Sequence, residues 1–331
     1  VDSTALRAVI GECNSLYKTI PQEWWFTFPG RKALPPTLLP EAARLMERLL
    51  SWPGAVVEPL SLEEGLYSSW TQALRNVFQI QTNLIEADFT ETFRILDSIL
   101  ARLGPPDAAP WETHRAQVVA GLNHWSLRRW IAREPDILVP RLLELEKNWI
   151  AQPGSPLPEW WLHMRSELAE SLYIDTLPPD PASGTTSYQT LGERWCREYL
   201  SAATAPMDRR AWLSIKLGVG LLSVGRADDA ATMMDLARNA PEGESLDGDV
   251  RWLRARFFVA QMGHGDRALA RTYLDKMEAL VSAGKIKPDD GQYRSALQNY
   301  NAYFTSSDAV LKQRAQEMQA ENRRNSPPLQ K

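Results

Sequence analysis

Two cysteines, four histidines and no long block of like charge leave this chain of 331 residues short of the groups from which most recognisable chemical sites are built. Cys13 and Cys196 lie far apart and fit neither a CxxC motif nor a disulfide-dense pattern. Two buried thiols or one long-range bridge satisfy that spacing equally, so the redox compartment stays open. The balance of 37 basic and 41 acidic residues, net charge −4, provides no electrostatic footprint for nucleic acid. No segment approaches the roughly 18 to 20 apolar residues that span a bilayer. The longest candidate, 213–224, is interrupted by Ser214, Lys216 and Ser223. The chain therefore reads as soluble, cytoplasmic or periplasmic. It begins at Val1 without the basic and then apolar pattern of a signal peptide, which leaves an upstream signal or anchor to have been removed.

Catalytic motifs are equally sparse. His114, His124, His163 and His264 are scattered and show no HExxH or other close ligand spacing. There is no GxSxG, and Gly218–Val219–Gly220 falls inside a helical pattern, away from any phosphate-loop context. The string DDAATMMD, 228–235, superficially suggests an aspartate-rich magnesium site. Asp228 and Asp229 are better explained as helix-start residues, where carboxylates complement the helix dipole. Asp136, Glu159 and Asp175 are conceivable acids for sugar cleavage, yet their spacing identifies no pair. No cofactor and no metal ligand set follows.

What is abundant is helix. Apolar residues recur at spacings of three and four, as in Leu39, Ala43, Met46, Leu49 and Leu50, or Phe93, Leu96, Ile99, Leu100 and Leu103. Thirteen tryptophans are present, several just after prolines at expected helix starts: Trp24–Trp25, Trp111 and Trp160–Trp161. Each adjacent pair invites two readings, a contact site or an anchor fixing the chain against the next helix. The pattern predicts helices near 3–18, 38–52, 61–85, 89–103, 110–133, 135–151, 157–174, 187–203, 207–224, 227–240, 248–263, 266–283, 290–304 and 307–323. Stops are marked by Pro53–Gly54, Gly104–Pro105, Pro153–Gly154 and Gly225. Only 55–60 suggests an extended piece, so the fold class is all-α.

Residues 176–187, TLPPDPASGTTS, read as an exposed linker. It separates a Trp-rich helical region, 1–175, from a segment, 188–323, that repeats itself at an offset of 40; a flexible tail, 324–331, follows. Trp212, Leu217, Gly225, Ala230 and Met234 are answered by Trp252, Phe257, Gly265, Ala270 and Leu274. In SIKLGVGLLSVGRADDAATMMDLARNAP, Leu217–Gly218 with Leu221, then Gly225, then Ala230 and Met234, resembles a tetratricopeptide repeat. Ser214, Leu221 and Met234 depart from the family's tryptophan, tyrosine and phenylalanine. The offset also exceeds the family's usual period of about 34 residues. The likeness is clearest over 207–283, and the helix at 307–323 suits a cap on the last repeat.

The resemblance implies an α-solenoid of antiparallel hairpins whose first helices line a face for an extended peptide or partner helix. Trp212 and Trp252, with Tyr293 near the equivalent place of the next hairpin, are then the candidate partner-binding residues, an aromatic ladder. The alternative is that they pack into the neighbouring hairpin. The expected function is a non-catalytic protein-interaction module or scaffold with a protein or peptide partner. Its expected setting is a bacterial envelope or secretion assembly, inferred from domain style rather than from a motif. The competing expectation is an all-α carbohydrate-active enzyme, hydrolase or lyase, whose aromatics line a glycan groove.

Overall fold

A computed structural model describes residues 3–27, 33–52, 64–84, 89–103, 112–128, 130–176, 186–202, 204–238, 245–303 and 305–325. The fold is all-α, and no extended strand occurs among the described residues. Helix boundaries follow the apolar periodicity and its proline and glycine punctuation closely. The first and fifth helices, α1 (Ser3–Lys18) and α5 (Phe89–Leu103), begin and end where the pattern predicts. The expected extended piece at 55–60, the stops at Pro53–Gly54 and Gly104–Pro105, Trp111, and most of the linker and tail lie outside the described residues.

The chain divides into two compact units, Val1–Trp130 with Ile137–Leu157, and Ile131–Asp136 with Pro158–Lys331. The last crossing from the first unit to the second falls at 157/158.

In the first unit, α1, α3 (Leu38–Leu50) and α4 (Glu64–Asn83) pack on one another, and the one-turn helix α2 (Trp24–Thr27) lies between the first two in sequence. Leu6, Val9, Ile10 and Cys13 of α1 meet a core that includes Leu45, Leu49, Trp70, Leu74 and Phe78, all buried. Each such side chain contributes about 1.5–3 kcal/mol by leaving water. The Trp70 indole N–H also donates to the Leu49 carbonyl, 3.2 Å. Helix α5 and α6 (Glu112–Arg128) extend the bundle. Then α7 (Pro135–Leu145) runs into a π-helical turn, Glu146–Ile150, that packs on α6.

In the second unit the most extensive packing joins helices consecutive in sequence: α8 (Glu159–Asp175) with α9 (Ser187–Ser201), α10 (Met207–Ser223) with α11 (Ala227–Ala237), and α12 (Val250–Phe258) with α13 (Arg267–Ser282). Helix α12 continues as a π-helical segment, Val259–His264. Successive first helices also touch: α8 with α10, α10 with α12, and α12 with α14 (Gly291–Ala302). Starts are capped by side chains, Thr186 for α9, Asp249 for α12, Asp266 for α13 and Asp290 for α14, each accepting from a first-turn N–H.

Two helices of this unit end on a left-handed glycine. After α10, Gly225 takes φ 77° while its N–H reaches Leu222 O and the Arg226 N–H reaches Leu221 O. Gly284 (φ 68°) ends α13 with the same two bonds, to Val281 and Leu280. This is the Schellman arrangement, which needs a left-handed residue. Within the pairs, Gly192 of α9 lies so near α8 that an added Cβ would fall 2.6 Å from Tyr173 N and 2.8 Å from Ala169 O.

The final helix, α15 (Asp308–Asn325), does not simply extend the row. It packs chiefly on the π-helical segment and also on α10. The Asn322 side-chain N–H₂ donates to the Leu222 carbonyl, 3.1 Å. Gly225 and Gly265 permit the docking, because a Cβ on either would run into α15: at Gly265 it would lie 2.6 Å from the Leu311 carbonyl.

The three left-handed glycines therefore differ in consequence. Gly284→Ala meets open space and costs only the conformational penalty of about 1–2 kcal/mol. Gly265→Ala costs more, because α15 must move, and hydrogen exchange of α15 amides accelerates. Urea unfolding of both variants with exchange on α15 checks this; equal losses with α15 unchanged would contradict it.

Candidate functional site

The ladder residues do not occupy equivalent places, and the π-helical segment explains why. A π turn contains one residue more than the α-helical path it replaces. Counted back from Gly225 and Gly265, the two hairpins match at an offset of 40, but upstream of 259–264 the inserted residue shifts the match to 39. Burial follows the shifted register: Leu213, Ser214, Leu217 and Gly218 are buried in α10, and Trp252, Leu253, Arg256 and Phe257 are buried in α12. Trp212 corresponds to exposed Arg251, and Trp252 to buried Leu213. One residue is about 100° of helix, enough to turn a ring from rim to core.

Trp252 is accordingly 0% exposed. Tyr273 meets it edge-on with ring centres 6.3 Å apart, and the Arg256 guanidinium lies 5.7 Å from its ring. Arg256 donates to the Tyr273 hydroxyl, 2.6 and 2.9 Å, and to the Ala231 carbonyl, 2.8 Å, and pairs with Asp235, 2.9 Å. Trp252 thus packs between α12 and α13, with no part of its ring at the surface.

Trp212 remains partly exposed. It packs edge-on against His163 of α8, ring centres 6.0 Å apart, with the Lys216 ammonium 4.5 Å from its ring. Arg209 donates to His163 Nε2, 2.9 Å, and Lys216 pairs with Glu170. Tyr293 is partly buried at the start of α14, where its N–H donates to the capping Asp290, 3.2 Å. No ladder joins the three. The cation four residues after each tryptophan was legible in the sequence, but the two point at different neighbours.

The tryptophan pairs sit mainly in packing positions. Trp24 and Trp25 lie against the cluster of Ile20, Leu34, Leu38 and Ile80, with Trp25 stacked on Tyr17, 5.1 Å. Trp161 is buried, whereas Trp160 is half-buried against it.

The conceivable acids do not converge. Asp136 accepts from the Tyr188 hydroxyl, Glu159 is exposed in the first turn of α8, and Asp175 ends that helix. Desolvation, then the nearby Glu170 charge, raises the Asp175 carboxyl above its usual range against the opposing effect of Lys216. Asp228 and Asp229 stand in the first turn of α11, Asp229 paired with Arg226, 2.6 Å. Among the described residues no group of three or more His, Cys, Asp or Glu side chains is placed to hold a metal ion. The histidines are dispersed: His114 against Tyr67, His124 buried on α6, His163 beside Trp212 and His264 near Asp228. Both cysteines are free and buried, and burial pushes the Cys13 thiol up to about 12, so neither is poised as a nucleophile.

Reasoning from sequence missed a pocket of about 360 Å³ in the first unit, lined by Asp97, Asn123, Arg141, Glu144 and Trp149. Asp97 and Glu144 both turn to the Arg141 guanidinium, which also covers the Phe93 ring at 5.3 Å. Two carboxylates held by one cation make a structural bridge rather than an acid–base pair across a substrate. Nothing in their spacing, 97, 141 and 144, announces this.

No helix among the described residues is long and apolar enough to cross a membrane. No protein-family model matches the chain, and neither the curated proteins nor the solved structures compared with it give a match.

Two outcomes follow. Trp252→Ala destabilises the second unit by about 3–5 kcal/mol in urea unfolding, as expected for a buried aromatic, and Trp212→Ala costs less. Acid sensitivity comes in part from Asp247, whose carboxyl burial would raise but hydrogen bonds from Arg238 and Lys276 hold below its ordinary value. Its contribution is complete above the unfolded value of about 3.9 and is lost as pH falls through the lower folded value. Asp247→Asn therefore removes part of the acid-side slope of stability against pH; an unchanged slope would contradict the assignment.

Proposed function

We propose that the second unit is a tetratricopeptide-repeat-like α-solenoid and that the protein is a non-catalytic interaction module for a peptide or partner helix. The observation that carries this reading is the row of first helices, each packed on the next, α8, α10, α12 and α14. Such a row presents parallel stripes of side chains to one side while the second helices support it from behind.

In the corrected register the outward stripe runs through Trp212, Ile215 and Val219 on α10, and through Arg251, Arg254 and Phe258 on α12. Val219 is 58% exposed, uncommon for a large aliphatic residue, and the Arg254 guanidinium sits 5.0 Å from the Phe258 ring. With Lys216 over Trp212, the surface alternates apolar and aromatic area with cations. It suits a partner segment that carries apolar and acidic residues, since aromatic and arginine side chains are the usual anchors of such contacts. The carbohydrate-active alternative gains no supporting observation, because its carboxylates are dispersed or held by arginine.

A photo-crosslinking residue in place of Val219 is expected to capture a discrete partner, and the same residue in place of exposed Thr232 on α11 is expected to capture none. Equal capture from both positions, or a Val219 adduct that persists when Phe258→Glu and Trp212→Ala are combined in a folded protein, would exclude this face.

A further inference from the structure

The helix α15 and the π-helical segment enclose a pocket of about 190 Å³ whose chemistry differs from that of the first-helix face. Its walls are Met262, Leu311, Ala315 and Met318, with Gln261 as a polar lining residue, Tyr303 at one side and Arg314 as the one charged lining residue. The guanidinium of Arg314 lies 5.6 Å from the Tyr303 ring. Arg314 is exposed and makes no ion pair among the described residues, although most arginines in this unit do.

We propose that this pocket binds a small monocarboxylate carrying a single aromatic ring or a short alkyl chain. Size selects the apolar part. An apolar cavity of about 150 Å³ takes up benzene, whereas drug-sized ligands need about 300 Å³ or more. Methionines at 262 and 318 adjust their three torsions to the guest, which suits a ring or a chain of similar volume. Charge selects the other end. A lone guanidinium at the rim, held in place by an aromatic ring and unopposed by any acidic lining residue, is matched by one carboxylate accepting its N–H donors. The π-helical segment supplies Met262 at the pocket wall, so the same inserted residue that shifts the upstream register also helps to shape this site.

The test is a titration of the full chain with benzoate, followed through the methyl resonances of Met262 and Met318, with uncharged benzyl alcohol as the comparison. Both methyls are expected to shift saturably with benzoate. Arg314→Gln is expected to weaken benzoate about tenfold, the loss of one charge-assisted contact, and to leave benzyl alcohol unchanged. Ala315→Leu fills the space and is expected to abolish both, with Met262→Trp as a second filler should the first disturb α15. Absence of saturation, benzoate binding indifferent to Arg314→Gln, or binding that survives in a folded filler variant overturns the proposal. So does a pocket that takes a phenylalanine-bearing peptide and refuses benzoate, which would make it a side-chain socket.

Discussion

Close approach of helix backbones is the constraint on which the second unit depends. At Gly192 the chain of α9 comes within contact distance of the α8 backbone itself, and at Gly218 the space a side chain would take is filled by Met234 of α11. Gly263 lets the π-helical segment press on Ala227 and Leu222 of the hairpin before it. Apolar area supplies most of the stabilisation, but it is shared among many side chains and tolerates exchange. The Gly192 contact is with backbone, which cannot give way as the Met234 side chain at Gly218 can.

That distinction explains how much could be read from the residues. Periodicity and punctuation are local signals, so helix limits such as Ser3–Lys18 and Phe89–Leu103 were legible to the residue. That α10 and α11 would be two helices broken at Gly225 was legible from that glycine and the periodicity on either side. The pair α8 with α9 was not, since Gly192 has no counterpart at the 40-residue offset and a proline-rich stretch precedes its helix. Nor was the course of α15: its buried residues, Leu311, Ala315 and Gln319, form a thin seam that does not say which surface it covers.

The most instructive difference concerns the tryptophans. A repeat offset is a statement about residue counts, whereas exposure depends on angle around the helix. One extra residue in Val259–His264 leaves the 40-residue agreement intact at Gly265 and Ala270 but rotates everything before it. Trp252 consequently turns into the seam with Arg256 and Tyr273, while Trp212 stays at the rim beside His163 and Lys216. Val219 and Phe258 share the outward side of α10 and α12 with Trp212, whereas Trp252 does not.

The unfolding free energy of Gly192→Ala measures directly whether this backbone approach holds the second unit together. On intrinsic preference alone, alanine in the interior of α9 should stabilise the helix by about 1 kcal/mol. If backbone contact between α8 and α9 sets the stack, the added Cβ, 2.6 Å from Tyr173 N, forces the pair apart. The variant is then less stable than the parent, and the first-helix contact of α8 with α10 loosens with it. A variant as stable as the parent, or more so, would show that the hairpins are not held by this approach.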